Sequence, residues 1–483
     1  LNRRKDKVNN WTFVLLFTLN NFIFAGSMNR ERIGMRTEAS ATLKLAVPII
    51  IGELAQMALH IIDSAMVGSI DYHQLAAVAL VINTINIPLV FGIGMTIAVS
   101  QMVSMANGRN DAGQVSHYLF NGFVLCSVMG IIISLVLCFG TDILYHLGQD
   151  PEVVAHAVPF MKLMSLSMIP MLMFMTLKQF TDGLEYTKTA MVLSLVSLPL
   201  NIFINWLLVY GNWGAPRLEL VGAGWGTLIT RTLMFFVLLV VVFRHKLFQP
   251  YISVRKKEWT IRRRTLGELL HIGTASSLQL GMEAGAFAVS GIIIGTLGAV
   301  AQAAHQIALS LAAFTFMVSM GLAQAGSIRV SNSFGRKDWT LINLIGKSTM
   351  ITALIYGLLC AIIFASFRFL LPQLFNDNVE VVALAATLLL FAAVFQISDA
   401  TQAISAGLLR GIKDVKTPTV LIAVAYWVIG IPVGWFFAFR LDMGASGMWL
   451  GLITGLTFAA GFLAFRFLKM VKKENSGLAP DLS

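Results

Sequence analysis

"QLAAVALVINTINIPLVFGIGMTIAVSQMVSMANGRND", residues 74–111, runs 35 positions from Gln74 to Gly108 without an Asp, Glu, Lys or Arg. A helix needs roughly 20 mostly apolar residues to cross a bilayer, so the stretch is long enough to span with tilt. Membrane strands would read as alternating segments of about ten residues, and no such alternation is present. Backbone groups in lipid must be satisfied within the segment, which leaves a helix. The whole chain has this character: of its 483 residues 57% are hydrophobic and only 12% charged. Soluble domains carry about 25% charged residues.

Twelve such spans follow one another, near 42–66, 75–105, 115–140, 153–179, 189–210, 221–243, 268–296, 300–332, 342–372, 380–408, 417–439 and 444–468. Pro88, Pro170 and Pro432 fall inside spans and are expected to kink them. The opening stretch also sets a repeat. "QLAAVAL" at Gln74 returns as "AQAAHQIAL" at Ala301, and "GRND" (108–111) as "GRKD" (335–338), both 227 residues on. Gly94 and Gly321 keep that spacing, and "GAGWGTLIT" (222–230) returns as "GASGMWLGLIT" (444–454) with two residues inserted. Two same-direction copies of six spans insert with one orientation. They are expected to form two six-helix lobes related by a pseudo-twofold along the membrane normal, with a cleft between them. The fold class is therefore all-α and polytopic. Its parts are an N-terminal extension (1–36), disordered or non-native; an N-lobe (37–243); a basic linker (244–266); a C-lobe (267–470); and a tail (471–483).

The net charge of +11 is dispersed over many loops, so it reads as topology rather than nucleic-acid binding. The 244–266 linker holds eight Lys or Arg, and the loops after spans one, three and seven hold none. Both termini are thus expected in the cytoplasm. "WTFVLLFTLNNFIFAG" (11–26) is too short and too Asn-interrupted for a good span and resembles a weak signal segment. With Met28 and Met35 downstream, it reads as an upstream extension of the natural start. Cys126, Cys138 and Cys360 all lie in apolar runs with no CxxC. There is no HExxH, and "GKST" (346–349) lacks the upstream glycine of a phosphate loop. No cofactor is expected.

Ionisable residues at bilayer depth cost several kcal/mol, so they mark function or a fixed partner. Glu53 and Asp63 lie in span one, Glu283 in span seven and Asp399 in span ten. Carboxylates exchange protons or bind Na⁺ through oxygen, which makes these acids candidate coupling groups; packing pairs are the alternative, and Glu53 is read both ways. Asn201 and Asn205 are four apart and share a helix face, as do Gln279 and Glu283. Gln306, Gln396 and Gln402 are further polar candidates. His60 and His305 read as hydrogen-bonded to neighbours rather than as a proton relay, and Arg231 within span six requires a partner or a water-filled path. The 23 Met and 33 Phe suit either an adaptable ligand pocket or lipid-facing helices.

"IIDSAMVG" (61–68), "LNIFINWLLVYG" (200–211), "GAGWG" (222–226), "AAHQIA" (303–308) and "FQISDATQAISAGLLRGIKD" (395–414), in this order over residues 40–470, resemble the MATE (multidrug and toxic compound extrusion) family, NorM-type bacterial branch. The resemblance implies a monomeric antiporter in the bacterial inner membrane, exporting organic cations or drug-like molecules against Na⁺ or H⁺ in contact with lipid. It makes Glu283 and Asp399 the C-lobe coupling acids and Na⁺ candidates, Asp63 the N-lobe acid, and Asn201 and Asn205 its partners. Some branches carry Asp at the position of Asn205, which argues against a purely N-lobe proton site here. Relatives often carry Tyr where this chain has Phe395, and Glu53 has no counterpart. A lipid-linked sugar flippase of the wider superfamily is the alternative transporter; it would need a cationic cavity, and these spans hold more acids than bases. A membrane enzyme would need a nucleophile–base or metal cluster, and none is visible.

Overall fold

The computed structural model describes residues 3–146, 148–252 and 259–475, with side chains from Gly34 onward. Positions 253–258 of the linker, 476–483 of the tail and the side chains of the N-terminal extension up to 33 lie outside the described residues. Among the described residues, twelve helices are long and apolar enough to cross a membrane. In chain order they are α1 (Arg3–Gly68, its apolar part Gly34–Gly68), α2 (Tyr72–Gly108), α3 (Ala112–Phe139), α4 (Pro151–Gly183), α5 (Thr187–Leu208) and α6 (Glu219–Arg244). The second set is α7 (Arg263–Gly295), α8 (Ala299–Gly335), α9 (Trp339–Ser366), α10 (Val379–Gly411), α11 (Lys416–Phe439) and α12 (Gly444–Asn475). Each lies over one expected span.

The repeated "GRxD" turns are built alike. Asn110 and Lys337 take left-handed backbone (φ 56° and 60°), and the next residue, Asp111 or Asp338, caps α3 or α9 by accepting from the amide of Gln114 or Leu341, 2.9 Å each. Two of the three in-span prolines do not break their helices: α2 runs through Pro88 and α4 through Pro170. Pro432 differs. α11 widens into a π-helical segment, Val424–Gly430, just before it and resumes as Ile431–Phe439. Proline removes one backbone donor and crowds the preceding turn, and a wider turn relieves both.

Two hydrophobic cores form, and α1 and α7 cross between them. Leu45, Ala46 and Ile49 of α1 pack into the core of the C-terminal half, whereas Val67 belongs to that of the N-terminal half. α7 does the reverse: Leu269, Ile272 and Ala275 join the N-terminal core and Ala286 and Ile294 the C-terminal one.

The halves meet through α2 and α8, and the contacts obey the 227-residue spacing. A Cβ on Gly94 would sit 2.4 Å from the Ser277 backbone, and one on Gly321 would sit 2.4 Å from Ile50. A Cβ on Gly108 would lie 2.0 Å from the Asn332 carbonyl oxygen, and one on Gly335 would lie 2.1 Å from that of Met105. Small residues here let helix backbones touch. Hydroxyls finish the seam: Ser104 donates to the Ile328 carbonyl (2.7 Å), and Ser327 and Ser331 donate to Gln101 Oε1 (2.8 and 2.7 Å). Nearby, Arg329 of α8 ion-pairs with Glu38 of α1, and Tyr118 of α3 donates to Glu268 of α7 at 2.5 Å. The halves are thus closed together at the end that carries the GRxD turns.

Candidate functional site

A cavity of about 400 Å³ lies between the halves. Its α2 lining (Asn86, Val90, Ile93) precedes the seam residues 94–108 along the helix, so the space sits on the side away from the GRxD turns. Phe287, Phe316, Phe395 and Trp449 with Met175, Met317 and Met320 make most of the wall apolar. Among the described residues its charged lining consists of Glu53, Glu283 and Asp399, and no Lys or Arg lines it. An apolar chamber of this size with a few placed polar groups suits an organic ligand, and carboxylates alone make it a cationic one.

Glu283 and Asp399 are both buried at its wall. Asp399 Oδ2 has no hydrogen-bond partner among the described residues. Tyr426 donates from α11 to Glu283 Oε1 at 3.3 Å and lies 3.4 Å from Gln402 Oε1. The π-helical segment carries Tyr426, and the adjoining Trp427 donates to the Met282 carbonyl at 3.2 Å. Phe395 packs edge-on against Phe287 and Trp449, 5.8 Å from each. The chain thus supplies a phenol oxygen at the acids from a different helix. Its only sequence signal was a tyrosine six residues before an in-span proline.

A second space of about 40 Å³ touches Glu283 from the other side and is lined by Gln279, Gln402 and Arg410. Gln279 does share a helix face with Glu283, but its amide donates to Thr419 Oγ1 (3.0 Å) and the Val415 carbonyl (3.4 Å). Gln306 is exposed on α8 and lines neither cavity, because its position on the helix turns it outward. Gln396 is buried, and neither amide atom has a partner among the described residues. The hydrogen bonds expected of His305 do not form: its ring is buried edge-on to Trp449 at 5.9 Å, and neither nitrogen has a partner among the described residues.

In the N-terminal half, Asp63 is enclosed by its own chain. Asn205 Nδ2 donates to Asp63 Oδ1 (2.6 Å) and to Asn201 Oδ1 (3.2 Å), and Thr227 donates to Asp63 Oδ2 (3.1 Å). An ionised carboxylate only accepts, which orients the Asn205 amide. The space beside Asp63 and His60 is about 10 Å³, at most one water. Arg231 finds its partner in Ser167, whose Oγ lies 2.7 Å from Nη1.

Glu53 is an ion-pair partner that also reaches the cavity. Lys178 Nζ lies 2.8 Å from Glu53 Oε1 and 3.6 Å from Asp182 Oδ2. Lys178 and Asp182 lie in the last turns of α4, and no motif in the sequence marks them. Among the described residues no group of three or more His, Cys, Asp or Glu is placed to hold a metal ion. Any cation at Glu283 and Asp399 would complete its shell with hydroxyl, amide or water oxygen.

The MatE family profile matches this chain twice, over residues 48–207 and 276–436, which is the repeat seen from another direction. A probable multidrug resistance protein NorM of Rhizobium meliloti (strain 1021) is 33% identical over 452 residues, covering 92% of this chain and 96% of its own. The multidrug resistance protein NorM of Vibrio parahaemolyticus (serotype O3:K6, strain RIMD 2210633) is 35% identical over 448 residues, covering 91% and 97%. The crystal structure of the eukaryotic MATE transporter AtDTX14 superposes with a TM-score of 0.83 at 20% identity, covering 92% of this chain and all of that one. The chain belongs to the MATE family of membrane transporters.

Proposed function

We propose that this protein exports organic cations and drug-like molecules from the bacterial cytoplasm across the inner membrane, driven by inward flow of Na⁺ or H⁺. The observation that carries the reading is the apolar cavity whose charged lining is three carboxylates and no base. A pyrophosphate head group would be repelled there, which disfavours a lipid-linked sugar flippase. Both lobes come from one chain, so a monomer contains a whole cleft, and the basic loops favour cytoplasmic termini.

Glu283 and Asp399 are the coupling acids in this reading. They share the wall of the cavity with the ligand, and one Asp399 oxygen is free to take a cation or proton. Tyr426 and Gln402 add oxygen atoms beside Glu283. Asp63 has a structural part, because amide and hydroxyl donors already occupy its oxygens. With the GRxD seam closed, the cavity communicates with the outside. A cation arriving there neutralises the acids and releases the organic cation. Parting the seam then turns the acids to the cytoplasm, where the cation leaves and a new ligand binds. Net export follows from the differing affinities of the two states.

The test is export of fluorescent ethidium from proteoliposomes under a Na⁺ gradient or a pH gradient imposed separately. Glu283→Gln and Asp399→Asn are each expected to abolish gradient-driven export. Unchanged export in both variants would remove the C-lobe acids from coupling, and export under neither gradient in the unaltered protein would overturn the proposed function.

A further inference from the structure

Glu53 is the one acid of the cavity that the N-terminal half supplies, paired there with Lys178 of α4, whereas Glu283 and Asp399 come from α7 and α10 of the C-terminal half. Behind it the charges do not balance. Lys178 is 4% exposed and serves two carboxylates: Glu53 at 2.8 Å, and Asp182, 1% exposed, at 3.6 Å. Neither Asp182 oxygen accepts a hydrogen bond among the described residues. One ammonium between two carboxylates leaves a net negative charge, and the only member on the cavity wall is Glu53. At 3.6 Å the ion pair to Asp182 is longer than a hydrogen bond, so this buried carboxylate can draw the ammonium closer once Glu53 is taken.

We propose that Glu53 is a second cation-recognition residue of the cavity, so that molecules carrying two separated positive groups are preferred ligands. A ligand cation that takes Glu53 displaces Lys178 toward Asp182. Lys178 exchanges one carboxylate for another, and the cluster becomes neutral. No proton need move. The second positive group is held by the acids of the C-terminal half, and the aromatic wall takes the apolar body between them. Gln179, next to Lys178 on α4, accepts a hydrogen bond from Gln324 of α8, which fixes the floor beside the cluster across the lobe boundary. The inference rests on the cation-export reading and narrows its substrate class.

Ethidium and propidium test it, since they share one ring system but carry one and two positive charges. Binding of each to the purified full chain in detergent is followed by dye fluorescence. The unaltered protein is expected to bind propidium more tightly than ethidium. Glu53→Gln, which leaves Lys178 and Asp182 as a neutral pair, is expected to reduce that preference by at least about tenfold. Asp182→Asn, which leaves Lys178 fixed on Glu53, is expected to reduce it in the same direction. A preference unchanged within about twofold in both variants overturns the inference. So does an equal loss of both dyes, or failure of both variants to fold, because the cluster is then a scaffold. If the unaltered protein binds neither dye, the substrate class of the proposed function falls with it. Failure of the coupling reading alone appears instead as gradient-driven export that survives Glu283→Gln and Asp399→Asn.

Discussion

Gly108 lies so close to Asn332 that a Cβ at position 108 would stand 2.0 Å from the Asn332 carbonyl oxygen. The partner contact, Gly335 against Met105, is the same contact carried 227 residues along the chain. Alternating access requires this seam to open and close, so its glycines set how well it closes. Overpacking costs about 1–3 kcal/mol. Gly108→Ala or Gly335→Ala is therefore expected to slow ethidium export by about tenfold. Gly140→Ala is the control, since a Cβ there meets nothing within 4 Å, and its export rate should match the unaltered protein.

Tyr426 supplies a hydroxyl to Glu283 from a widened helical turn. Hydrogen bonds to charged groups contribute about 1.5–3 kcal/mol, and the 3.3 Å separation puts this one at the low end. Tyr426→Phe is expected to raise the concentration of coupling cation needed for half-maximal export by about tenfold. Measuring export against external Na⁺ and against external pH checks this. An unchanged half-maximal concentration for both would mean that the phenol has no part in coupling.

Lys178 holds one half-buried and one buried carboxylate at once. Removing one partner of a buried ion pair costs about 3–5 kcal/mol. Lys178→Met is accordingly expected to lower the Tm in detergent more than Glu53→Gln does, since the latter leaves a matched pair. Thermal unfolding of the two variants side by side decides the order.

Asp63 accepts one hydrogen bond on each oxygen, from Asn205 and from Thr227. Asp63→Asn is expected to lower Tm, because Arg231 loses its nearby negative charge, yet to leave the cation dependence of export in place. Loss of gradient dependence with an unchanged Tm would instead make the N-terminal acid a coupling group.

Much of the fold was legible as one-dimensional pattern. Charge-free runs such as 74–108 mark spans, and the return of "GRND" as "GRKD" marks the duplication. The acids stood out for the same reason, since Glu283 interrupts a long uncharged stretch. Side-chain partners were harder. Gln306 and Gln279 looked alike as polar residues in spans, yet one faces outward and the other bonds to α11. Lys178 carries no mark in the sequence of its setting, and the fold places it between two acids.

Amino-acid order alone was enough for twelve helices, their pairing into two halves and a short list of buried acids. Hydropathy, charge and repeat spacing are properties of the chain itself, and lipid leaves the backbone few alternatives. Which acid faces a ligand, which is enclosed by amides and which is held by lysine came only from the folded molecule. Those partners are brought together by helix rotation, by glycine-to-carbonyl approach and by the π-helical turn before Pro432. Glu53 and Lys178 are 125 residues apart, and no local pattern in the chain couples them.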